Sequence, residues 1–96
     1  MDMLTDEKNR TDILNRLKRA EGQLRGIQRM VEEGQRCQDI ASQMAAVRKA
    51  LDSTYVRMTV CFMEQELGAR FGDDPAQREG LSEVLSEVQN LLGKVR

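Results

Sequence analysis

The residues best suited to chemistry in this chain are its two cysteines, Cys37 and Cys61, because the chain contains no histidine. A cysteine thiolate is both a nucleophile and a ligand for soft metal ions. Cys37 directly follows Arg36 at the predicted start of a helix, and both features stabilise a thiolate. We therefore predict that Cys37 is the reactive or metal-binding thiol. Cys61 lies within a helix on an apolar face, where a buried thiol is the usual outcome.

The segment between the cysteines predicts one long helix, because residues 37–67 contain neither proline nor glycine. Mainly apolar positions recur there at alternating steps of three and four, which indicates a helix packed on another helix. These positions are Cys37, Ile40, Met44, Val47, Leu51, Thr54, Met58 and Cys61. The two cysteines would lie about 36 Å apart along such a helix. They can act together only if a second chain brings them together.

The same spacing predicts a first helix over residues 11–33, with Thr11 as its N-cap and Gly34 as the glycine that ends it. Asp74 and Pro75 predict the start of a third helix over residues 75–95, after a linker over residues 68–74. The chain is therefore predicted to be a single all-α domain of three helices. Helices of this length cannot cover one another's apolar positions in so short a chain, so we also predict a homo-oligomer.

Basic residues are concentrated in the first helix. Between residues 16 and 29 they are Arg16, Lys18, Arg19, Arg25 and Arg29, against the single acid Glu21. On one helix such charges are typical of a solvated face, but repeated across a symmetric oligomer they could follow a DNA backbone. Gly22 and Gly26 predict a close approach in the same helix, which we assign to a neighbouring helix, with a phosphate as the alternative.

Composition narrows the remaining classes of function. Aromatic residues are 3% of the chain and tryptophan is absent, which suits helical layers better than a β-sandwich. The sequence has no glycine-rich loop between a strand and a helix and no nucleophile paired with an acid, so we predict that it is not an enzyme. No signal peptide or spanning segment is visible, which predicts a cytoplasmic protein with reduced thiols and no membrane partner.

The segment ILNRLKRAEGQLRGIQRMVEEGQRCQDIASQMAAVRKAL resembles the CsoR/RcnR/FrmR family of bacterial repressors, which sense metals or reactive small molecules. The resemblance covers about residues 10–67. It is carried by the run R-L-K-R-x-x-G-Q-x-x-G-I, the cysteine that follows ten residues later, and the segment A-A-V-R.

The resemblance implies antiparallel four-helix-bundle dimers that pair into flat tetramers. It also implies binding to operator DNA without a helix-turn-helix, and release when an inducer binds. Cys37 matches the family's sensing cysteine. The expected DNA contacts are Arg16, Lys18, Arg19 and Gln23 in the first helix, together with Arg48 and Lys49 in the second.

The sequence departs from the family at the other sensing positions. Copper-sensing members are similar in adding a histidine and a cysteine of the neighbouring subunit, but those positions are Phe62 and Glu66 here. Nickel and cobalt sensors need histidine, formaldehyde sensors have proline where this chain has Asp2, and persulfide sensors have a cysteine at the position of Glu66. Cys61 lies one residue before the histidine position. At 3.6 residues per turn it would be about 120° from the face of Cys37, and at 3.5 about 50°.

We therefore predict a DNA-binding repressor that releases operator double-stranded DNA when a thiol-directed inducer, such as a persulfide or electrophile, reacts with Cys37. Cys61 of the partner could resolve that adduct. The alternative is a Cu(I)-responsive repressor in which Cys37 and Cys61 of two subunits bind the metal, with Met58 or Met63 nearby. An alternative of another class is a structural oligomerisation module that does not bind DNA.

Overall fold

The computed structural model of the chain describes residues 3–71 and 74–95. It contains three α-helices: α1 (Glu7–Glu32), α2 (Cys37–Phe71) and α3 (Pro75–Val95). No strand is present in these two ranges, so the prediction of an all-α fold with three helices is confirmed. α1 and α3 both pack on α2 and do not pack on each other.

The helix α1 begins four residues earlier than predicted, and Asp6 rather than Thr11 is its N-cap. Asp6 has extended backbone angles, and its carboxylate accepts a hydrogen bond from the backbone N–H of Lys8 at 3.0 Å. The prediction that Thr11 caps the helix was wrong because residues 7–10 are polar and carry no apolar signal. They are helical because Asn9 is buried, at 5% exposure, against α2.

The end of α1 was predicted correctly at Gly34, which has a φ of 69°. The backbone N–H of Gly34 donates to the carbonyl of Val31 at 3.1 Å, and that of Gln35 donates to Met30 at 3.0 Å. These two bonds satisfy carbonyl groups at the end of the helix, and only glycine adopts this backbone conformation without strain. The resulting tight turn lets α2 begin at Cys37.

The helix α2 continues through Gly68 to Phe71, where a linker was predicted. Gly68 is buried, and a Cβ added there would lie 3.8 Å from Nη2 of Arg78 in α3. Gly68 therefore lies inside α2, next to the side chain of Arg78, and does not end the helix. The predicted start of α3 is confirmed, because the Asp74 carboxylate accepts a hydrogen bond from the backbone N–H of Ala76 at 3.1 Å.

Small and medium-sized residues fill the interface between α1 and α2, which we call the hairpin seam. Its members are buried and recur every seven residues on each helix: Ile13, Ala20 and Ile27 on α1, and Val47, Thr54 and Cys61 on α2. On another side of α2, Val56 and Val60 are buried, as is Leu85 of α3. The core is thus two narrow interfaces that share α2.

Replacing Gly34 with Ala is expected to lower the free energy of unfolding by about 1 kcal/mol, because alanine is strained at positive φ. Gly22→Ala is the matched control. It lies within α1 with open space around it, so alanine should stabilise the helix by up to about 1 kcal/mol. Thermal denaturation followed by circular dichroism measures both. Equal shifts in the same direction would contradict the assigned conformation of Gly34.

Candidate sensing site and nucleic-acid interface

Cys37 is the first residue of α2, and its side chain is exposed. The turn that ends α1 at Gly34 places it at this helix N-terminus. The neighbouring Arg36 is directed elsewhere than the sequence suggested: its guanidinium donates to Oε1 of Gln38 at 3.1 Å and pairs with Asp39 at 3.9 Å. Cys37 is therefore an exposed thiol at the first residue of α2, and the guanidinium of Arg36 makes its polar contacts with other residues.

Cys61 has the opposite environment. It is fully buried in the hairpin seam, at 0% exposure. Burial raises the pKa of the Cys61 thiol; the Arg57 guanidinium lowers it in part, and the carboxylates of Glu64 and Asp12 add to the increase. In the folded protomer this group is therefore a protonated, inaccessible thiol at neutral pH.

Within one chain the two cysteines lie on different sides of α2. Cys37 precedes Met44 and Leu51 at intervals of seven residues, and both of these side chains are exposed. Cys61 follows Thr54 by seven residues and faces α1. The structure thus separates the two thiols in orientation as well as along the helix. In the ranges 3–71 and 74–95, no group of three Cys, Asp or Glu side chains is placed to hold a metal ion.

Large apolar side chains remain exposed beside the hairpin seam, and we call this surface the apolar flank. By helical periodicity they lie on the same side of the hairpin as Cys37. The members are Leu17, Leu24 and Val31 of α1, and Met44, Leu51, Tyr55 and Phe62 of α2. Exposed apolar side chains grouped on one side of a protein are typical of surfaces that bind another molecule. Val47 and Leu51, which the sequence treated alike, are therefore separated: Val47 is in the seam and Leu51 is on the flank.

The predicted DNA contacts differ in how they are held. Lys18, Arg19, Gln23, Arg48 and Lys49 are exposed. Arg16 is partly buried, with its side chain 29% exposed. Its Nε donates to Asp12 at 3.1 Å and its Nη1 to Oγ of Ser53 at 3.4 Å.

The close helix approach predicted at Gly22 and Gly26 does not occur within the protomer. A Cβ added at either glycine would have no atom within 4 Å, apart from its chain neighbours and the backbone of its own helix. Both positions therefore border open space on the helix that carries the basic residues. The phosphate alternative stays a prediction.

A cluster of polar side chains near the start of α1 was missed by the sequence analysis. Arg57 of α2 lies at its centre and is hydrogen-bonded to Asn9 and Asp12 of α1 and to Gln89 of α3. The sequence did contain a pattern that could have predicted this cluster. The steps of four and three that mark the seam also connect Asn9, Ile13, Arg16 and Ala20. Polar residues at such positions indicate a partnered buried group.

A cleft of about 710 Å³ lies where the N-terminal segment crosses the end of α2 and the start of α3. Gln65 fixes this segment by accepting a hydrogen bond from the N–H of Thr5 at 3.1 Å and donating one to the carbonyl of Met3 at 2.7 Å. Glu66 and Arg78 line the cleft, but neither cysteine does. The exposed thiol is therefore on an open surface in the protomer.

The three-helix fold and the exposed thiol at the start of α2 are consistent with the family to which the sequence is similar. A family model described as a metal-sensitive transcriptional repressor matches residues 9–94, so the chain belongs to this family. This confirms the resemblance seen in the sequence. The family is one of transcriptional repressors and not of enzymes, as predicted.

Three curated relatives are described as copper-sensing transcriptional repressors. CsoR of Bacillus subtilis is 47% identical over 51 residues, which cover 53% of this chain and 50% of the relative. RicR of Mycobacterium tuberculosis is 49% identical over 43 residues, 45% of each chain. CsoR of Mycobacterium ulcerans is 38% identical over 72 residues, 70% of this chain and 60% of the relative.

The chain thus spans about half the length of the first two relatives. No solved structure is significantly similar to it. Among the residues described here, no helix is long and apolar enough to cross a membrane.

Iodoacetamide is expected to alkylate Cys37 in the folded protein and to leave Cys61 unmodified until the chain unfolds. The reason is the full burial of Cys61. Peptide mass spectrometry measures both reactions, and Cys37→Ser serves as the control, which should take up reagent only in denaturant. Equal rates for the two thiols in the folded parent would contradict this assignment.

The alkaline stability of the protein is expected to depend on Cys61. Its folded-state pKa lies above the ordinary value of 9.0, so the folded state holds the thiol proton more tightly than the unfolded state. The corresponding stability is present below that ordinary value and is lost as the pH rises through the folded-state pKa. Cys61→Ala should therefore reduce the fall in melting temperature as the pH is raised above about 9. If the melting temperature of the variant falls as much as that of the parent, other titrating groups cause the alkaline loss of stability.

Proposed function

We propose that this chain forms a homo-oligomeric transcriptional repressor that binds operator double-stranded DNA and releases it when Cu(I) binds at Cys37. Membership of a family of metal-sensitive repressors supports the repressor role. The copper-sensing function of the three relatives supports Cu(I) as the inducer. The observation that carries the proposal is the exposure of Cys37, at the head of the helix that also carries much of the apolar flank.

The DNA surface is proposed to be built from the exposed basic residues and Arg16. The net charge of the chain is only −1, so attraction to phosphate must come from local clustering. The segment 16–29 supplies that clustering, with five basic residues against one acid. In a symmetric oligomer the segment is repeated, and each neutralised phosphate adds to the salt dependence of binding.

The oligomer is proposed to form through the apolar flank. Leaving seven large apolar side chains in water is unfavourable, and a second copy can cover them by pairing the same surface across a two-fold axis. In an antiparallel arrangement, the start of α2 in one chain lies near the later part of α2 in the other. Residues 58–66 of the second copy are then the source of further groups around Cys37.

The donor set for Cu(I) is incomplete in one chain. Cys37 offers one thiolate, which is the ligand type that Cu(I) prefers. Phe62 has no donor atom, and the carboxylate of Glu66 is a hard ligand that suits Cu(I) poorly. The soft donors that remain in residues 58–66 of a second copy are the thiol of Cys61 and the thioethers of Met58 and Met63.

Recruitment of Cys61 would require its side chain to leave the hairpin seam. The seam is formed with α1, and α1 carries the basic segment. Loss of Cys61 from the seam would loosen the packing that fixes α1 on α2. This link gives a physical reason why ligation at the thiols would weaken DNA binding.

A thiol-directed inducer is the second candidate, favoured by the side chains at positions 62 and 66 and by the burial of Cys61. A persulfide or electrophile needs only one accessible cysteine, and Cys37 is exposed. Mass spectrometry distinguishes the candidates. Release of DNA with a covalent mass increase at Cys37, in the absence of metal, would favour this second candidate.

The copper response is tested with a duplex selected from a random-sequence pool by the purified parent protein. Buffered Cu(I) is expected to release the duplex from the parent but not from Cys37→Ser. Cys61→Ser is the companion variant, and it should lose the response only if Cys61 is a ligand. A Cys37→Ser protein that releases DNA as the parent does would reject Cys37 as the sensing residue.

The oligomer is tested with Leu51→Asp, which places a charge on the apolar flank. Burying an unpaired carboxylate should weaken assembly by about 3 kcal/mol or more. Ser42→Asp is the matched control, because it is exposed and lies nine residues away, about 180° round α2 from Leu51. Light scattering should show dissociation only for Leu51→Asp, with helicity kept in both. An unchanged particle size for that variant would exclude this surface as the interface.

A further inference from the structure

Arg57 is the residue through which the three helices are joined by hydrogen bonds. Its Nη2 donates to Oδ1 of Asn9 at 2.8 Å, its Nη1 to Oε1 of Gln89 at 3.1 Å, and its Nε to Oδ2 of Asp12 at 3.3 Å. Glu64 pairs with the same guanidinium at 3.6 Å. The side chain is only 21% exposed, so these charge-assisted bonds are partly protected from solvent.

Asp12 is shared between two guanidinium groups. Its Oδ2 accepts from Arg57, and its Oδ1 accepts from Nε of Arg16 at 3.1 Å. Partial burial opposes ionisation of Asp12, but the hydrogen bonds and charges of Arg16 and then Arg57 together lower its pKa below the ordinary value. The carboxylate is thus a fixed anion between α1 and α2, and it is held in place by α2.

Arg16 is consequently fixed from two directions. Asp12 holds its Nε, and Ser53 of α2 accepts from its Nη1 at 3.4 Å. In the described part of the chain, Nη2 of Arg16 has no hydrogen-bond partner. Arg19, in contrast, is exposed, and within the ranges 3–71 and 74–95 its side chain is bonded only to the carbonyl of Asn15 in its own helix, at 3.4 Å. Arg16 therefore presents a pre-oriented guanidinium edge, whereas no contact with a second helix orients Arg19 in the described residues.

We propose that Asp12 and Arg57 are positioning residues for operator binding, which hold the guanidinium of Arg16 ready for a DNA phosphate. This inference rests on the proposed DNA surface. A pre-oriented guanidinium loses less side-chain entropy on binding than a free one, and its planar fork matches the oxygens of a phosphate. Arg16 should therefore contribute more to DNA affinity than Arg19, although it is less exposed.

The test is a double-mutant cycle of DNA affinity, measured with the selected duplex and the full chain. Asp12→Asn keeps the size of the side chain but removes its charge. It is expected to weaken binding about tenfold in the parent and less than twofold in the Arg16→Ala background. A purely structural role of Asp12 would weaken binding equally in both backgrounds, and that result would overturn the proposal. Tighter binding by Asp12→Asn would overturn it as well, because Asp12 would then mask Arg16.

The matched control is the pair Glu21 and Arg25, which has the same four-residue spacing, joined at 3.2 Å. Both side chains are more than two-thirds exposed, and among the described residues no second helix holds the carboxylate. Glu21→Gln and Arg25→Ala should therefore combine additively, within about twofold. Coupling as large as that of Asp12 and Arg16 would mean that any helical ion pair has this effect, which rejects a special role for Arg57.

A second variant covers the case in which Asp12→Asn loses helicity. Arg57→Lys keeps the charge but cannot reach three acceptors at once, and it should show the same dependence on Arg16. If both variants lose helicity, the cluster is a requirement of folding and the positioning role is rejected.

If the parent fails to bind DNA, the proposed function itself is rejected. If the parent binds and Arg16→Ala binds equally well, only the role of Arg16, and with it this inference, is overturned.

Discussion

The close packing of α1 on α2 is the interaction on which the rest of the structure depends. The hairpin seam is made of residues no larger than isoleucine, and it includes Ala20, Thr54 and Cys61. Small side chains let two helices approach closely, but they bury little apolar area. The larger residues, among them Tyr55 and Phe62, are placed outside the seam and stay exposed in the protomer. The small side chains of the seam therefore explain both how α1 packs on α2 and why the large apolar side chains remain exposed in the protomer.

That packing also decides the chemistry of the two thiols. The same seven-residue repeat that buries Cys61 leaves Cys37 on the apolar flank. Burial makes Cys61 a poor nucleophile and a poor ligand unless the seam opens, whereas Cys37 is accessible without any rearrangement. If Cys61 takes part in sensing, the cost of exposing it becomes part of the response, because the same seam fixes the helix that carries the basic segment.

Much of this arrangement could be predicted from the sequence, and the errors have physical explanations. Heptad spacing gave the number of helices, and Gly34 and Pro75 gave two of their boundaries, because these signals are local. The start of α1 was misplaced because it depends on Asn9, whose partner Arg57 is 48 residues away. The orientation of Cys61 relative to Cys37 could not be decided, since a change from 3.6 to 3.5 residues per turn alters the angle between them from about 120° to about 50° over 24 residues. The sharing of the Asp12 carboxylate between Arg16 and Arg57 could likewise not be predicted, because Arg57 lies 45 residues away on another helix.

The continuity of α2 has a consequence for how sensing chemistry could diverge among related chains. Adding one residue to this helix ahead of Cys61 would rotate everything after it by about 100° relative to Cys37. The second thiol would then leave the hairpin interior and take the orientation that Phe62 has now. A single codon inserted into an uninterrupted helix could therefore exchange a packing thiol for a surface ligand, with no new cysteine required. In evolutionary terms, a change in helix length could alter the effector of such a chain without any change of amino-acid identity.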